Sequence, residues 1–136
     1  GTDTNLASPN GVLAMHIQFA ELPVFDQERA KAFYVNTLGC EVAADAPMGP
    51  DGWRWVELRF PGAETTLHFI RRADDTPSAD PVLVLVADDV ATTVEKLRTR
   101  HVEIITEPQE APWQPGRMIA EFRDTEGNRM VIGSRL

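Results

Sequence analysis

One histidine and two glutamates lie in segments that alternate apolar with other residues, as half-buried strands do: His68 in "TTLHFIR", Glu57 in "WRWVELRF" and Glu121 in "RMIAEFR". A histidine binds ligands through either ring nitrogen or acts as a general base near neutral pH. Purely structural roles are also open: His68 as a hydrogen-bonded interior residue, and the glutamates as ion-pair partners of Arg59 and Arg123 on solvated faces.

The elements that carry these residues occur in one order, twice. "MHIQFAELPV" is extended, and "FDQERAKAFYVNTLG" has the apolar spacing of a helix between a capping Asp26 and a terminating Gly39. Three extended stretches follow, which gives β-α-β-β-β. After the polar segment 73–80, a strand, a helix capped by Asp88 or Asp89 and three more strands repeat the order.

The repeat predicts an α+β fold of two tandem βαβββ modules, at about 15–72 and 81–134, within one domain, residues 14–136. Residues 1–13 are small, polar and turn-rich, and they predict a flexible leader. A ferredoxin-like fold is the competing prediction, but it would have four strands rather than eight.

"LPVFDQERAKAFYVNTLGCEV" and "DTEGNRMVI" resemble the vicinal oxygen chelate superfamily, which includes glyoxalases, bleomycin resistance proteins and dioxygenases. The resemblance extends from about Ile17 to the C-terminus. It implies that two curved modules form an open mixed sheet, a cup that encloses a small molecule. In the metal-dependent members, four strand positions supply His or Glu to a divalent ion.

The resemblance places the four metal-ligand positions at Phe19, His68, Val82 and Val131. Of these four, only His68 has a side chain that can bind a metal ion, whereas a catalytic zinc, nickel or iron needs about three protein ligands. We therefore predict no metal and no other cofactor. An unconventional site that combines His68 with Glu57 or Glu121 is the alternative.

Strand alternation predicts which residues line the implied cup. The inward set combines aromatic, aliphatic and charged side chains, as small-molecule sites usually do. Its members are Phe19, Glu21, Trp55, Glu57, Arg59, His68, Val82, Val84, Ile119, Glu121, Arg123 and Val131.

Two functions are compatible with this site, and a third, that of a structural or regulatory partner protein, applies if the cup is filled by its own side chains. The first is a glyoxalase-like and bleomycin-resistance-like protein that binds a small molecule between its modules without a metal. The second is a lyase, isomerase or dioxygenase in which His68 is the acid/base or part of an unconventional metal site. Trp53 and Trp113 stand in loops, either as a lid over the cup or in a dimer interface.

Composition limits the partners. The 136 residues have a formal charge of −8, with basic residues scattered among acids, which argues against a nucleic-acid binder. No apolar run has the length of a membrane span. Cys40 is the single cysteine, which excludes an internal disulfide and favours the cytoplasm. We predict a homodimer, because an open eight-stranded arrangement exposes edges that pairing covers.

Overall fold

A computed structural model describes residues 11–136, so most of the predicted leader lies outside the described residues. The order is β1 Phe19–Val24, α1 Gln27–Ala32 with a π-helical continuation Phe33–Thr37, β2 Glu41–Pro47, β3 Arg54–Arg59, β4 Thr66–Arg71, β5 Pro81–Ala87, α2 Val90–Thr99, β6 Ile104–Ala111, β7 Gln114–Arg123 and β8 Arg129–Ser134. The predicted α+β class and the repeated βαβββ order are confirmed.

The eight strands form two four-stranded sheets with the same topology. The N-terminal sheet has the order β1-β4-β3-β2, and the C-terminal sheet has the order β5-β8-β7-β6. In each sheet the first strand of the module is parallel to the last, while the other pairs are antiparallel. Because each sheet is mixed in the same way, corresponding strand positions of the two modules can be compared directly.

Each helix begins at the aspartate that the sequence indicates. Asp26 accepts a hydrogen bond from the backbone N–H of Arg29 at 3.1 Å, and Asp89 accepts one from Thr92 at 2.9 Å. The first helix differs from the prediction in its second half, where it widens into a π-helical turn. This turn places the adjacent Phe33 and Tyr34 in the core together.

The two modules share one hydrophobic core. The helices and one face of each sheet contribute to a single cluster, and Phe33 of the first module contacts Phe122 of the second with ring centroids 6.4 Å apart. Alternate residues of β1, β3, β4, β7 and β8 point into this core. The buried strand residues of this cluster are Leu22, Val24, Val56, Leu58, Leu67, Phe69, Ala120, Phe122, Met130 and Ile132.

A buried polar turn joins the modules. In the segment "DTEGN", Asp124 accepts hydrogen bonds from the backbone of Glu126 and Asn128, both at 2.8 Å, and from the hydroxyl of Tyr34 at 2.5 Å. Burial raises the pKa of this aspartate, although its hydrogen bonds oppose the rise. Gly127 has a φ of +75°, and a Cβ there would lie 3.0 Å from the Cα of Pro77.

Glu126 in the same turn is fully buried and faces the first module. Its carboxylate accepts from the backbone N–H groups of Phe25 and Asp26 at 3.0 and 2.8 Å, and from the guanidinium of Arg29 at 2.8 and 3.1 Å. Arg72 donates to the Glu126 carbonyl. The turn thus fixes the start of α1 against the second module, and with it the direction of β1.

Candidate functional site

The outward face of the N-terminal sheet carries a cluster of three aromatic rings. His68 on β4 lies against Trp55 on β3, with ring centroids 3.9 Å apart and an interplanar angle of 33°. Phe19 on β1 completes the cluster, at 4.9 Å from His68 and 5.9 Å from Trp55. Such a surface is suited to stacking against a planar ligand. We call Phe19, Glu21, Trp55, Glu57 and His68 the N-terminal face.

Two carboxylates flank His68 in the strand register. Glu21 on β1 and Glu57 on β3 are both paired with it. Glu21 Oε1 lies 2.8 Å from His68 Nδ1. Glu57 instead accepts hydrogen bonds from Trp55 Nε1 and the Thr66 hydroxyl, each at 2.8 Å. The hydrogen bonds therefore hold both the imidazole and the indole in place.

The contact between Glu21 and His68 orients the imidazole ring. When Nδ1 carries the proton and donates it to Glu21, Nε2 has a lone pair that can accept a hydrogen bond or a proton. Within residues 11–136, Nε2 has no hydrogen-bond partner. This arrangement allows either ligand binding or general-base chemistry at Nε2.

The outward face of the C-terminal sheet forms a cavity of about 590 Å³. Its walls are both apolar and polar, as expected for a small-molecule site. Only residues of the second module line it. We call these residues the C-terminal pocket: Pro81, Val84, Thr106, Gln109, Pro112, Trp113, Arg117, Ile119, Glu121, Arg129, Val131 and Gly133.

Glu121 and Arg129 form an ion pair in this pocket. Two guanidinium nitrogens of Arg129 donate to the carboxylate at 2.9 and 3.0 Å, and the Thr106 hydroxyl donates at 2.6 Å. The hydrogen bond from Arg129 lowers the pKa of Glu121. Since each charge is matched, this pair contributes no net charge to the pocket.

The repeat relates the two sites but does not make them alike. Glu57 is in register with His68 on the neighbouring strand, and Glu121 is in register with Val131. The two glutamates thus occupy equivalent positions, as do His68 and Val131. Each site has a central carboxylate, but only the N-terminal face has a histidine beside it.

The structure brings the predicted lining residues together in two groups rather than one. The first group is the N-terminal face, and the second consists of Val84, Ile119, Glu121 and Val131 in the C-terminal pocket. Both surfaces lie on the sheet sides opposite the shared core. Strand alternation indicates which side a residue occupies, but it does not indicate how two sheets are arranged.

Three predicted residues have other surroundings. Val82 packs against the hydrophobic core, because the register of β5 shifts between Pro81 and Leu83, whereas Val84 lines the pocket as alternation indicates. Arg59 lies on β3 two residues from Glu57, but in the described part of the chain it forms no salt bridge with it. Arg123 likewise does not pair with Glu121, since it donates to the carbonyls of Ser78 and Gly127.

The four family positions do not fit a catalytic metal. Phe19, Val82 and Val131 have no donor atom, and His68 already contacts Glu21 through Nδ1. Within residues 11–136, no three His, Cys, Asp or Glu side chains are grouped as metal ligands. Of the four family positions, only His68 therefore has a side chain that could bind a metal.

Sequence reasoning missed several pocket residues. Trp113 was predicted only as a lid or interface residue, and neither Arg117 nor Arg129 was predicted to bind ligand. The alternation of "QPGRMIAEFR" places Arg117 on the same side as Ile119 and Glu121, so this signal was available. Arg129 was not recognisable, because its ion pair with Glu121 depends on the pairing of β7 with β8.

No helix in the described part of the chain is long and apolar enough to cross a membrane.

Cys40 is buried, and burial raises its pKa to about 12. A thiol in this state is a poor nucleophile, so Cys40 packs and is not part of the site.

Comparison with known families gives a match over residues 16–132 to the model described as Glyoxalase/Bleomycin resistance protein/Dioxygenase superfamily. The chain is also similar to YetH, an uncharacterised protein of Bacillus subtilis strain 168. The two are 32% identical over 124 residues, which is 90% of this chain and 94% of YetH.

Two solved structures have the same fold with substantial identity. TnmS3, described as an antibiotic binding protein from Streptomyces sp. CB03234, has a TM-score of 0.74 and 33% identity, over 92% of this chain and 99% of its own. A protein from Sphaerobacter thermophilus DSM 20745 has a TM-score of 0.78 and 28% identity, over 91% of this chain and 100% of its own.

Proposed function

Because the chain belongs to the glyoxalase, bleomycin resistance protein and dioxygenase superfamily, we propose that it binds a planar small molecule without the help of a metal. The observation that carries this proposal is the aromatic cluster on the N-terminal face. Trp55 and His68 are 3.9 Å apart between ring centroids, and hydrogen bonds from their ring nitrogens to Glu57 and Glu21 hold them in place. A preorganised aromatic surface of this kind binds planar ligands with little loss of side-chain entropy.

The C-terminal pocket supports the same function. Its volume of about 590 Å³ is within the usual range for drug-sized ligands, and its apolar walls surround a few polar groups. The similarity to TnmS3 also favours binding, since that protein is described as antibiotic-binding. The four family metal positions favour binding without a metal, because three of them lack a donor atom.

We also propose that the protein is a cytoplasmic homodimer in which the N-terminal face of one protomer covers the C-terminal pocket of its partner. Apolar side chains of the C-terminal pocket are exposed in the single chain, Val84 by 60% and Trp113 by 68%. Light scattering at micromolar concentration is expected to give twice the mass of one chain. A monomer at that concentration would contradict the dimer.

A thermal-shift screen tests binding. We expect planar aromatic compounds to raise the melting temperature, because a ligand selective for the folded state stabilises it by mass action. The screen uses 2-naphthoate, 2-naphthamide and the cation proflavine. Failure of all three to raise the melting temperature at millimolar concentration would count against the proposal.

Substitution of Trp55 assigns the binding to the N-terminal face. Trp55→Ala is expected to weaken binding by about tenfold, since one aromatic contact contributes about 1 kcal/mol or more beyond its area. Trp53→Ala is the matched control, because Trp53 lies before β3 under the guanidinium of Arg71, 5.1 Å from it. Equal losses of affinity in the two folded variants would contradict the assignment of binding to the N-terminal face.

An enzymatic function is the second candidate, and the 2.8 Å contact between Glu21 and His68 favours it. A carboxylate that orients an imidazole is a common arrangement in general-base catalysis. The test incubates each bound compound with the protein and analyses it by mass spectrometry. If the compound is recovered unchanged, the result supports binding alone. If the compound is converted, and His68→Gln abolishes the conversion, the result supports catalysis. Stoichiometric metal in the purified protein, lost in His68→Ala, would overturn the metal-free proposal.

A further inference from the structure

Arg117 lies in the C-terminal pocket in a space that a glycine leaves open. Its guanidinium rests on β8 at Gly133, where an added Cβ would lie 2.5 Å from Nη2 and 3.0 Å from Cζ and Nε. Any other residue at position 133 would displace the guanidinium or be displaced by it. Gly133 is buried within a strand, where glycine usually weakens the sheet, so the close approach of Arg117 accounts for it.

The guanidinium has no anionic partner in the described residues. Its Nε is buried without an acceptor, and its one side-chain hydrogen bond is a long one, 3.5 Å from Nη1 to Gln114 Oε1. Arg129 in the same pocket differs, because Glu121 neutralises it with two hydrogen bonds. A buried, unpaired donor of a charged group is costly, and an incoming acceptor would relieve that cost.

Among residues 11–136, Arg117 therefore gives the pocket one uncompensated positive charge, in a chain whose formal charge is −8. Guanidinium groups bind carboxylates through two parallel hydrogen bonds, which adds direction to the attraction. Trp113, Ile119 and Val131 provide apolar walls in the same cavity. The chemistry of the pocket thus matches an aromatic body that ends in an acidic group.

We infer that the C-terminal pocket selects aromatic ligands that carry a carboxylate, and that Arg117 binds this carboxylate. The inference rests on the proposed binding function and names the ligand class for one half of the site. It also assigns a role to Gly133, which leaves the space in which the guanidinium lies.

The test compares 2-naphthoate with 2-naphthamide by isothermal titration calorimetry. The two compounds have the same ring system and differ mainly in charge. We expect the wild-type protein to bind the acid about tenfold to hundredfold more tightly, since hydrogen bonds between charged groups are the strong ones. Arg117→Gln should abolish this preference, so that the acid and the amide bind with equal affinity.

Two further variants separate the charge of Arg117 from its position. Arg98→Gln removes the same charge from the surface, where Arg98 pairs with Glu95 and Glu107, and it should keep the preference for the acid. Gly133→Ala keeps the charge but displaces the guanidinium, so the preference should fall. Circular dichroism establishes that each variant is folded.

The outcomes distinguish this inference from the function on which it rests. Equal affinity of the wild-type protein for acid and amide would overturn the carboxylate selection and leave small-molecule binding intact. A preference for the acid that survives Arg117→Gln would overturn the role of Arg117. Absence of binding for both naphthalene compounds, while proflavine binds, would overturn the inference alone. Absence of binding for all three would count against the proposed function as well.

Discussion

Removal of the Glu126 carboxylate tests whether the buried turn holds the modules together. Glu126 is fully buried and accepts from two backbone N–H groups at the start of α1 and from two nitrogens of Arg29. Glu126→Ala leaves these donors without the acceptor. The backbone donors left unsatisfied cost about 1–3 kcal/mol, whereas Arg29, 38% exposed, keeps access to water and to Asp75. We therefore expect the free energy of unfolding to fall by about 1–3 kcal/mol.

Urea unfolding followed by circular dichroism measures the change. The matched control is Glu95→Ala, because Glu95 is exposed and its pair with Arg98, at 3.3 Å, lies on the surface. The control should change the free energy of unfolding by about 0.5 kcal/mol or less. A change below about 1 kcal/mol for Glu126→Ala would refute the assignment of the turn as the fixed connection between the modules.

The same carboxylate predicts a pH dependence. Burial alone would raise the pKa of Glu126, but hydrogen bonds from Arg29 and from the backbone of α1 outweigh it and lower the pKa. Its stabilising contribution is therefore complete above the unfolded-state pKa and is lost as the pH falls through the folded-state pKa. The stability gap between the wild-type protein and Glu126→Gln should narrow on acidification; a constant gap would contradict the ion pair.

Three further predictions concern other buried groups. Tyr34→Phe removes a donor to the buried Asp124 and should cost about 1–3 kcal/mol in urea unfolding; no measurable cost would show that Asp124 does not need this donor. Glu121→Gln should lower the melting temperature at pH 7, with a smaller effect at acidic pH, because Arg129 lowers the pKa of Glu121; an effect that grows on acidification would be the wrong sign. Cys40 should react with a thiol reagent only after denaturation, since burial raises its pKa to about 12; rapid reaction of the native protein would contradict its burial.

The fold could be predicted because both halves of the sequence have the same order of helix and strand signals. Each module has an aspartate cap, an amphipathic helix and alternating strands, and these local signals agree with the observed elements. Alternation also placed Trp55, Glu57 and His68 on one face, because β3 and β4 are regular over these residues. The local sequence pattern is sufficient to predict which way a side chain points where the strand alternates regularly.

Features that depend on pairing and packing could not be predicted in the same way. Val82 was assigned to the cup, but the register shift in β5 turns it to the core. The division of the lining into two surfaces follows from the shared core, in which Phe33 contacts Phe122 across the modules. The pair of Glu21 with His68 follows from the register of β1 with β4, which no single segment contains.

Tryptophan fluorescence can show directly whether a planar ligand binds at the two outward surfaces. The three tryptophans occupy distinct places: Trp55 on the N-terminal face, Trp113 in the C-terminal pocket, and Trp53 before β3 under Arg71. Variants that retain one tryptophan each, with phenylalanine at the other two positions, are titrated with 2-naphthoate. We expect the emission of Trp55 and Trp113 to change on saturation while that of Trp53 does not. A change confined to Trp53, or no change at Trp55 and Trp113 despite measured binding, would contradict this expectation.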